Sequence, residues 1–483
     1  MYSFILSIIV LIAGYFIYGK VTEKVFGIDK NRPTPAISCA DGVDYVALPW
    51  WRVFLIQFLN IAGLGPIFGA IMGVMFGSAS FLWIVFGTIF AGGVHDYLSG
   101  MMSIRMDGAS QPEIVGKELG TGIKQFMRAF SLILMVLVGA VFISGPAGLL
   151  SNLTSNRVSV DWWILIVFIY YFLATLLPID KLIGKIYPIF GLALLFMAAG
   201  IFIAIIINHA PVPEFSDGFA NMHPQKLPIF PIMFVSIACG AISGFHATQS
   251  PLMARCITNE KLGRRIFYGS MVAEGIVALI WAAAASSFFG SITELQAYSA
   301  SLAPNINKPA IIVDLISKHW LGSLGGFLAI LGVIAAPLTS GDTALRSARL
   351  IAADFLKIDQ KPVKKRLLIS LPIFVITYLI LQINFEVLWR YFAWCNQTLA
   401  VFTLWAITVY LAKQHKFYFI ALIPAMFMTA VSASYIFIAP EGFHLSQSIS
   451  ISAGITISGI ILAIFYYKKQ LNFGKPIDRD STI

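Results

Sequence analysis

The amino-acid sequence predicts an all-α polytopic membrane protein with about thirteen transmembrane helices. Of its 483 residues, 58% are hydrophobic and only 12% are charged, whereas soluble domains carry about 25% charged residues. Thirteen apolar segments approach the length of about 20 residues that is needed to cross a bilayer. This composition excludes a soluble enzyme, and it excludes a disordered chain because disorder requires low hydrophobicity and high charge. The four cysteines lack metal-binding spacing and are expected to be packing residues.

The thirteen segments divide the chain into four parts. A first helix at 2–19 is expected to be retained, since no basic residue precedes it and no cleavage site follows, and it belongs to an N-terminal part at 1–51 with a cytoplasmic loop. We call the next ten segments core helices 1 to 10, in two five-helix units at 52–208 and 228–412. Two further helices and a cytoplasmic tail occupy 413–483. The core helices are expected at 52–76, 79–103, 125–150, 161–178, 184–208, 228–253, 264–289, 321–340, 366–383 and 391–412, and the last two helices at 416–438 and 448–467.

Lysine and arginine placement predicts the orientation. With the N-terminus outside, 28 of the 33 Lys and Arg residues fall on the inner side, as the positive-inside rule requires of cytoplasmic loops. One missed or additional span would destroy this asymmetry, so it also supports the number of spans. We expect a multi-pass protein of the cell inner (plasma) membrane with a cytoplasmic C-terminus. The five residues on the outer side are Arg157, Lys226, Lys308, Lys318 and Arg390.

Two loops are expected to contain short helices. The order Ser110-Gln111-Pro112-Glu113 has the pattern of a capping box, which predicts a cytoplasmic helix at 110–120. The longest outer loop, 290–320, has an apolar stretch at 309–319 that is expected to form an interfacial helix.

Glycines interrupt two core helices at similar depth. Core helix 1 contains the run 62–66, with Gly63 and Gly65, and core helix 6 contains the run 238–246, with Gly240 and Gly244. Unwound backbone inside a membrane is tolerated around a cavity or in buried protein. Because the two units have opposite topology and each opens with an interrupted helix, the pattern is typical of a secondary transporter with inverted repeats. The alternative is close helix packing, for which core helix 1 has a ridge of small residues at Gly65, Gly69 and Gly73.

The residues around these interruptions resemble the carbon starvation protein A (CstA) family. The resemblance covers most of the chain, and it implies a LeuT-like carrier of the amino acid–polyamine–organocation superfamily that takes up peptides or pyruvate. Family members often have a His-His pair before the first interruption; here these positions are Ile56 and Gln57, so this chain lacks the pair. The matching segments are Asp41-Gly42-Val43-Asp44-Tyr45-Val46, Ile61-Ala62-Gly63-Leu64-Gly65-Pro66, Ala91-Gly92-Gly93-Val94-His95-Asp96, Ser103-Ile104-Arg105-Met106-Asp107-Gly108, Cys239-Gly240-Ala241-Ile242-Ser243-Gly244-Phe245-His246 and Cys395-Asn396-Gln397.

The candidate substrate-binding residues lie at the interruptions and on the helices expected beside them. A substrate carboxylate is expected to lie against the helix N-termini near Gly65 and Gly244, because these ends carry free amides and a positive dipole. His246 follows the second interruption; the alternative is a histidine satisfied by a backbone carbonyl. For the neutral amides, the alternative is hydrogen bonding between helices. The set is Gly63, Gly65, Asn60, Gln57, Gly240, Ser243, Gly244, His246, Asn396 and Gln397.

Charged residues within the spans are candidates for coupling and gating, because such groups are expensive inside a membrane. His95 and Asp96 form either a proton relay or a structural pair that ties core helix 2 to core helix 1 or 6. Glu274 of core helix 7 is either a proton carrier or a buried structural acid. Asp342 and Arg346 lie on the inner extension of core helix 8, where Arg346 either contributes to an inner gate or anchors the positive side.

Core helix 8 also has a candidate sodium site. Ala336, Thr339 and Ser340 have the spacing with which helix 8 of LeuT-type carriers binds sodium, together with carbonyls of core helix 1 near Asn60 to Gly63. The alternative is that both hydroxyls bond back to carbonyls of their own helix. No cofactor is expected apart from this ion.

The sequence therefore predicts a secondary active importer of a small carboxylate or short peptide, coupled to sodium or protons. A channel or nutrient sensor with the same fold is the alternative. An intramembrane enzyme built on His95, Asp96 and His246 lacks support, since no nucleophile elbow, metal motif or nucleotide loop is present. The expected partners are the substrate and the lipid bilayer, without nucleic acid; the sequence does not predict the oligomeric state.

Overall fold

The computed structural model is all-helical across the residues that it describes, which are 1–41, 45–155, 157–176, 179–303, 306–358 and 362–472. Residues 42–44 of the family motif and the tail 473–483 lie outside these ranges. Each predicted apolar segment coincides with helix in the described part. After the first helix, Tyr2–Phe26, the core helices are Trp50–Ile61 with Gly65–Val74, Ala79–Arg105, Thr121–Leu153, Val160–Leu176, Ile179–Ile207, Ile229–Ala254, Glu260–Phe288, Lys308–Leu356, Val363–Ile380 and Phe385–Lys413, and the last two helices are Phe419–Ile438 and Gln447–Asn472.

Ten helices in the described ranges are long and apolar enough to cross a membrane, and counting the bent pair of core helix 1 as one span gives eleven. Core helix 4 is shorter. Core helix 9 has three basic residues directly after its first residue, Val363, so its apolar part is also short. The multi-pass architecture is confirmed, while the count of thirteen and the inverted repeat stay predictions.

The core helices enclose a buried centre. Most residues of core helices 2, 7, 8 and 10 are buried, whereas the first and last helices of the chain are mainly exposed on the outside of the bundle. Core helix 8 packs along core helices 3 and 5, and core helix 7 packs against core helix 1. The interrupted helices and their polar residues therefore lie in the interior.

Ion pairs agree with the predicted division of the loops into two sides. Arg105 pairs with Glu260 at 3.0 Å, and Lys413 pairs with Glu118 at 2.9 Å, all on the side assigned 28 basic residues. On the other side, Arg390 pairs with Glu441. We call these the basic side and the opposite side. Which of them faces the cytoplasm stays a prediction from the charge count.

The loop at 208–228 is joined to the first helix on the opposite side. Glu214 accepts hydrogen bonds from the amides of Tyr2 and Ser3 at 2.8 Å each, and from the terminal amine of Met1. Partial burial favours the neutral form of Glu214, but these hydrogen bonds prevail and lower its pKa to about 2.

The two predicted loop helices are present, with differences in detail. The helix Gln111–Leu119 confirms the expectation for 110–120, but Ser110 makes no side-chain capping bond. Its expected partner Glu113 instead forms ion pairs with Lys124 and Arg128. The apolar stretch at 309–319 is helical and forms the first part of Lys308–Leu356, which a kink at Gly322, with a φ of 69°, divides from the predicted span of core helix 8.

Candidate functional site

The first break separates two parts of core helix 1. The helix ends at Ile61, Ala62 to Leu64 are non-helical, and the second part begins at Gly65 with an axis bent by 54°. This confirms the interruption predicted from glycine and proline. A Cβ on Gly63 would lie 2.7 Å from the ring of Phe142 on core helix 3, so the break also depends on a close approach that only glycine permits.

The second break lies in core helix 6 and contacts the first. Ala238 has a φ of 40° and Ser243 is extended, and regular helix resumes at Gly244. A Cβ on Gly65 would overlap the side chain of Cys239. Gly69, one turn after Gly65 in the ridge of small residues, packs equally closely against core helix 6, because an added Cβ would lie 2.7 Å from the carbonyl oxygen of Ile237. The glycines therefore have both predicted roles: they interrupt the helices and allow the two breaks to pack together.

Asn396 caps the second part of core helix 6. Its Oδ1 accepts hydrogen bonds from the amide of Phe245 at 2.7 Å and from the hydroxyl of Ser243 at 3.0 Å. The side chain thus occupies a backbone amide at the helix end where the sequence placed a substrate carboxylate. Gln397 donates to the carbonyl oxygen of Ile242 at 3.0 Å. Both amides lie within core helix 10 rather than at its beginning, because that helix starts at Phe385.

Four buried ionisable side chains form a network across three core helices, in which hydrogen bonds join Asp96 to both histidines and Glu274 lies at ion-pair distance from His246 without a hydrogen bond. Asp96 of core helix 2 has Oδ1 at 2.7 Å from Nδ1 of His95 and Oδ2 at 2.8 Å from Nδ1 of His246. The other ring nitrogen of His246, Nε2, lies 3.4 Å from Oε2 of Glu274 on core helix 7. All four side chains are fully buried. Asp96 therefore connects core helix 2 to core helix 6. The alternative prediction that a backbone carbonyl satisfies His246 is wrong, because its Nδ1 bonds to Asp96.

The backbone near this network departs from regular α-helix. Segments of π-helix lie at Thr88–Gly92, before His95, and at Arg264–Tyr268, before Glu274. The wider turn of π-helix recurs at functional sites, where it changes the direction of side chains. Tyr268 donates from its hydroxyl to the carbonyl oxygen of Ile89 at 2.7 Å, which joins the two segments.

Several buried polar atoms near the breaks lack hydrogen-bond partners among the described residues. Gln57 and Asn60 precede the first break, and the side-chain nitrogen and oxygen of each lack a partner. So do Nε2 of His95 and Oε1 of Gln397. Buried polar groups in native proteins are normally paired with protein, water or a ligand. The unpartnered amides are therefore well suited to bind a polar solute.

The candidate sodium residues join core helix 8 to the end of the first helical part of core helix 1. The Ser340 hydroxyl lies 3.1 Å from the carbonyl oxygen of Leu59, 3.0 Å from that of Asn60 and 3.0 Å from that of Ala336. One hydroxyl can donate only one hydrogen, so it cannot satisfy three acceptors at once. Thr339 donates to Ala336 at 2.8 Å, which is the local bond of the structural alternative.

Asp342 and Arg346 lie away from the network on core helix 8. Their nearest charged atoms are 3.7 Å apart, and Arg346 also donates to the carbonyl oxygen of Ala174 on core helix 4 at 2.7 Å. Arg346 is buried, so it joins two helices rather than reaching the membrane surface.

Cys239 has a closer part in the site than the sequence indicated. Its thiol accepts from Nδ2 of Asn396 at 3.1 Å and lies 3.4 Å from the Ser243 hydroxyl. Only the position of Cys239 within the interruption could have pointed to it. In the described ranges, no group of three or more His, Cys, Asp and Glu side chains has metal-binding geometry.

Comparison with known proteins identifies relatives along most of the sequence. The family described as "Carbon starvation protein CstA" matches residues 1–161, 150–319 and 309–434. An uncharacterized membrane protein of Haemophilus influenzae is 42% identical over 65% of this chain and 98% of its own. The peptide transporter CstA of Bacillus subtilis is 25% identical over 98% of this chain and 97% of its own. The pyruvate/proton symporter BtsT of Escherichia coli is 26% identical over 58% of this chain and 48% of its own.

A solved structure agrees with the predicted fold. MhsT in complex with L-phenylalanine matches with a TM-score of 0.53 at 13% identity, over 86% of this chain and 98% of that chain. At this identity the likeness concerns the fold alone, and it confirms the LeuT-like architecture that the sequence predicted. Since the family match extends over most of the residues, the chain belongs to the CstA family of carbon starvation proteins.

Proposed function

We propose that the protein is a secondary active importer that carries a small carboxylate such as pyruvate, or a short peptide, together with protons. Alternating access around the two breaks would expose the site to each side in turn. The names of the relatives support transport of these substrates. The observation that carries the choice of proton is the buried network of His95, Asp96, His246 and Glu274.

Hydrogen-bond chemistry assigns roles within this network. An ionised Asp96 can only accept, so both histidines donate from Nδ1 and keep Nε2 as a proton acceptor. Nε2 of His246 then faces the carboxyl of Glu274 at 3.4 Å. Uptake of one proton by this pair raises the charge at the second break by one unit, and release of the proton restores it. Entry of this proton with an anionic substrate would keep the buried site close to neutral, which lowers the cost of burial.

The unpartnered amides are the proposed substrate contacts. Gln57 and Asn60 offer two amide donors and two carbonyl acceptors beside the first break. A carboxylate or a peptide bond can use such groups directly. The amide end at Gly244 is a weaker candidate, because Asn396 already occupies the amide of Phe245 there.

Sodium is a second candidate for the coupled ion. The surplus of carbonyl oxygens around Ser340 supports it, since a hard cation prefers several oxygen ligands at one point. Binding of substrate and a coupled ion is reciprocal, so removal of the ion site must change the ion dependence of substrate affinity.

Uptake by purified protein in proteoliposomes tests the proposal. Labelled pyruvate and a labelled dipeptide are supplied under an imposed proton gradient, a sodium gradient or neither. We expect uphill accumulation driven by protons in the parent protein, and its loss in Glu274→Gln with exchange of substrate retained. Ser287→Ala is the matched control on core helix 7, because it removes a hydroxyl whose one hydrogen-bond partner among the described residues is Ala283 of its own helix.

Other outcomes separate the alternatives. Sodium-driven accumulation that survives Glu274→Gln but fails in Ser340→Ala would move the coupled ion to core helix 8. Equilibration without accumulation under every gradient would favour the channel, and binding without flux would favour the nutrient sensor.

A further inference from the structure

A groove of about 840 Å³ lies on the outside of the bundle, away from the breaks. Core helix 10, the short helix at 111–119 and the last helix of the chain enclose it. Its floor is apolar and includes Phe402 and Trp405 of core helix 10 and Ile461 and Phe465 of the last helix.

The rim of the groove is basic. Lys117, Lys413 and Lys468 line it together with His415 and a single acid, Glu118. Lys413 is paired with Glu118 at 2.9 Å. Lys117 and Lys468 are exposed, and both extend from the rim without an ion pair to another described residue. With histidine neutral, three lysines and one glutamate leave a net positive rim.

The rim lies at the ends of core helix 10, the helix at 111–119 and the last helix, on the basic side. Next to it, Lys469 donates to the hydroxyl of Tyr418 at 2.8 Å, and Tyr466 and Tyr467 lie at the same end of the last helix. Tyrosine and lysine at helix ends are characteristic of the interface between bilayer and water. The floor extends from this end along apolar residues of core helix 10 and the last helix, toward the middle of both helices.

We propose that this groove binds an anionic phospholipid, with the phosphate at the lysines and the acyl chains along the apolar floor. Basic pockets between transmembrane helices recognise anionic head groups in this way. The floor makes similar contacts with the tails of any lipid, so the preference for one lipid over another must arise from the charged rim. A soluble anion would use the rim alone, and a second copy of this chain would have to bring acidic residues to it.

Native mass spectrometry of the delipidated full chain provides the test. The protein is titrated with phosphatidylglycerol and with phosphatidylcholine of the same acyl chains. We expect phosphatidylglycerol to bind roughly ten- to thirtyfold more tightly, from two lysines that have no competing ion pair. In the double variant Lys117→Gln with Lys468→Gln, this preference should fall to about twofold or less.

The control is Lys226→Gln with Lys318→Gln, which makes the same change in net charge on the opposite side, also removes the ion pair of Lys318 with Asp314, and should keep the preference. All these lysines are on the surface, and the parent protein alone already tests the preference. Equal binding of both lipids, or equal loss in the control, overturns the proposal. Full displacement of the lipid by inorganic phosphate would identify an anion site, and dimers that exclude the lipid would identify an interface between copies.

Discussion

The cap that Asn396 provides to core helix 6 should be worth a measurable part of the stability. In Asn396→Leu, a side chain of similar size replaces the amide, and the amide of Phe245 and the hydroxyl of Ser243 lose their acceptor. The hydroxyl can rotate toward Cys239, but the backbone N–H is fixed. A buried unsatisfied N–H costs about 1–3 kcal/mol. We expect a loss of about 2 kcal/mol, or roughly thirtyfold in the equilibrium constant for unfolding.

Unfolding in mixed micelles with increasing dodecyl sulfate, followed by tryptophan fluorescence, measures this loss. Asn396→Asp keeps an acceptor oxygen for the amide of Phe245 in either protonation state, so it should be more stable than the leucine variant. Thr408→Val is the control on the same helix, because it removes a hydroxyl that, within the described part of the chain, bonds only to Leu404. If Asn396→Leu is as stable as Thr408→Val, the amide is not the cap of core helix 6.

Three further predictions concern charged and hydroxyl groups. Arg105→Gln leaves the buried carboxylate of Glu260 without its cation, so it should lower the free energy of unfolding by about 3 kcal/mol in the same assay. The double variant Arg105→Gln with Glu260→Gln should lose less, because it removes the buried charge as well. Glu214→Gln should lower the free energy of unfolding by less than about 1 kcal/mol, because the site is partly exposed. This difference from the parent is fully present above the ordinary glutamate pKa of about 4.5 and shrinks as the pH falls toward the folded-state pKa of about 2. Paired unfolding curves between pH 7 and pH 3 will reveal the change. Ser340→Ala should leave proton-driven uptake within about threefold of the parent if the hydroxyl only satisfies carbonyls, whereas a tenfold or greater loss confined to sodium-containing buffer would establish a cation site.

The spans and their breaks could be predicted because their signals are local. A run of apolar residues indicates a membrane helix by itself, and Gly63, Gly65 and Gly240 mark the interruptions within single segments. The division of loops between two sides also follows from a simple count of lysine and arginine.

The connections between polar residues could not be predicted in the same way. Asp96 and His246 are 150 residues apart in sequence, and nothing near either one identifies the other as its partner. The sequence suggested Asp96 as a relay and His246 as a substrate contact, so it separated two members of one network. The cap by Asn396 was missed for a similar reason: a free helix end is visible in the sequence, but a side chain from another helix that fills it is not.

The glycine contacts between the two breaks affect how mutational tolerance should be interpreted. In a scan scored by growth on a transported nutrient, Gly65 and Gly69 will tolerate almost no substitution, because any added carbon meets Cys239 or the backbone at Ile237. Such intolerance resembles that of a substrate ligand, although these positions contribute no side chain. A parallel measurement of protein abundance in the membrane separates the two cases, since packing defects deplete the protein whereas true contacts reduce growth at normal abundance.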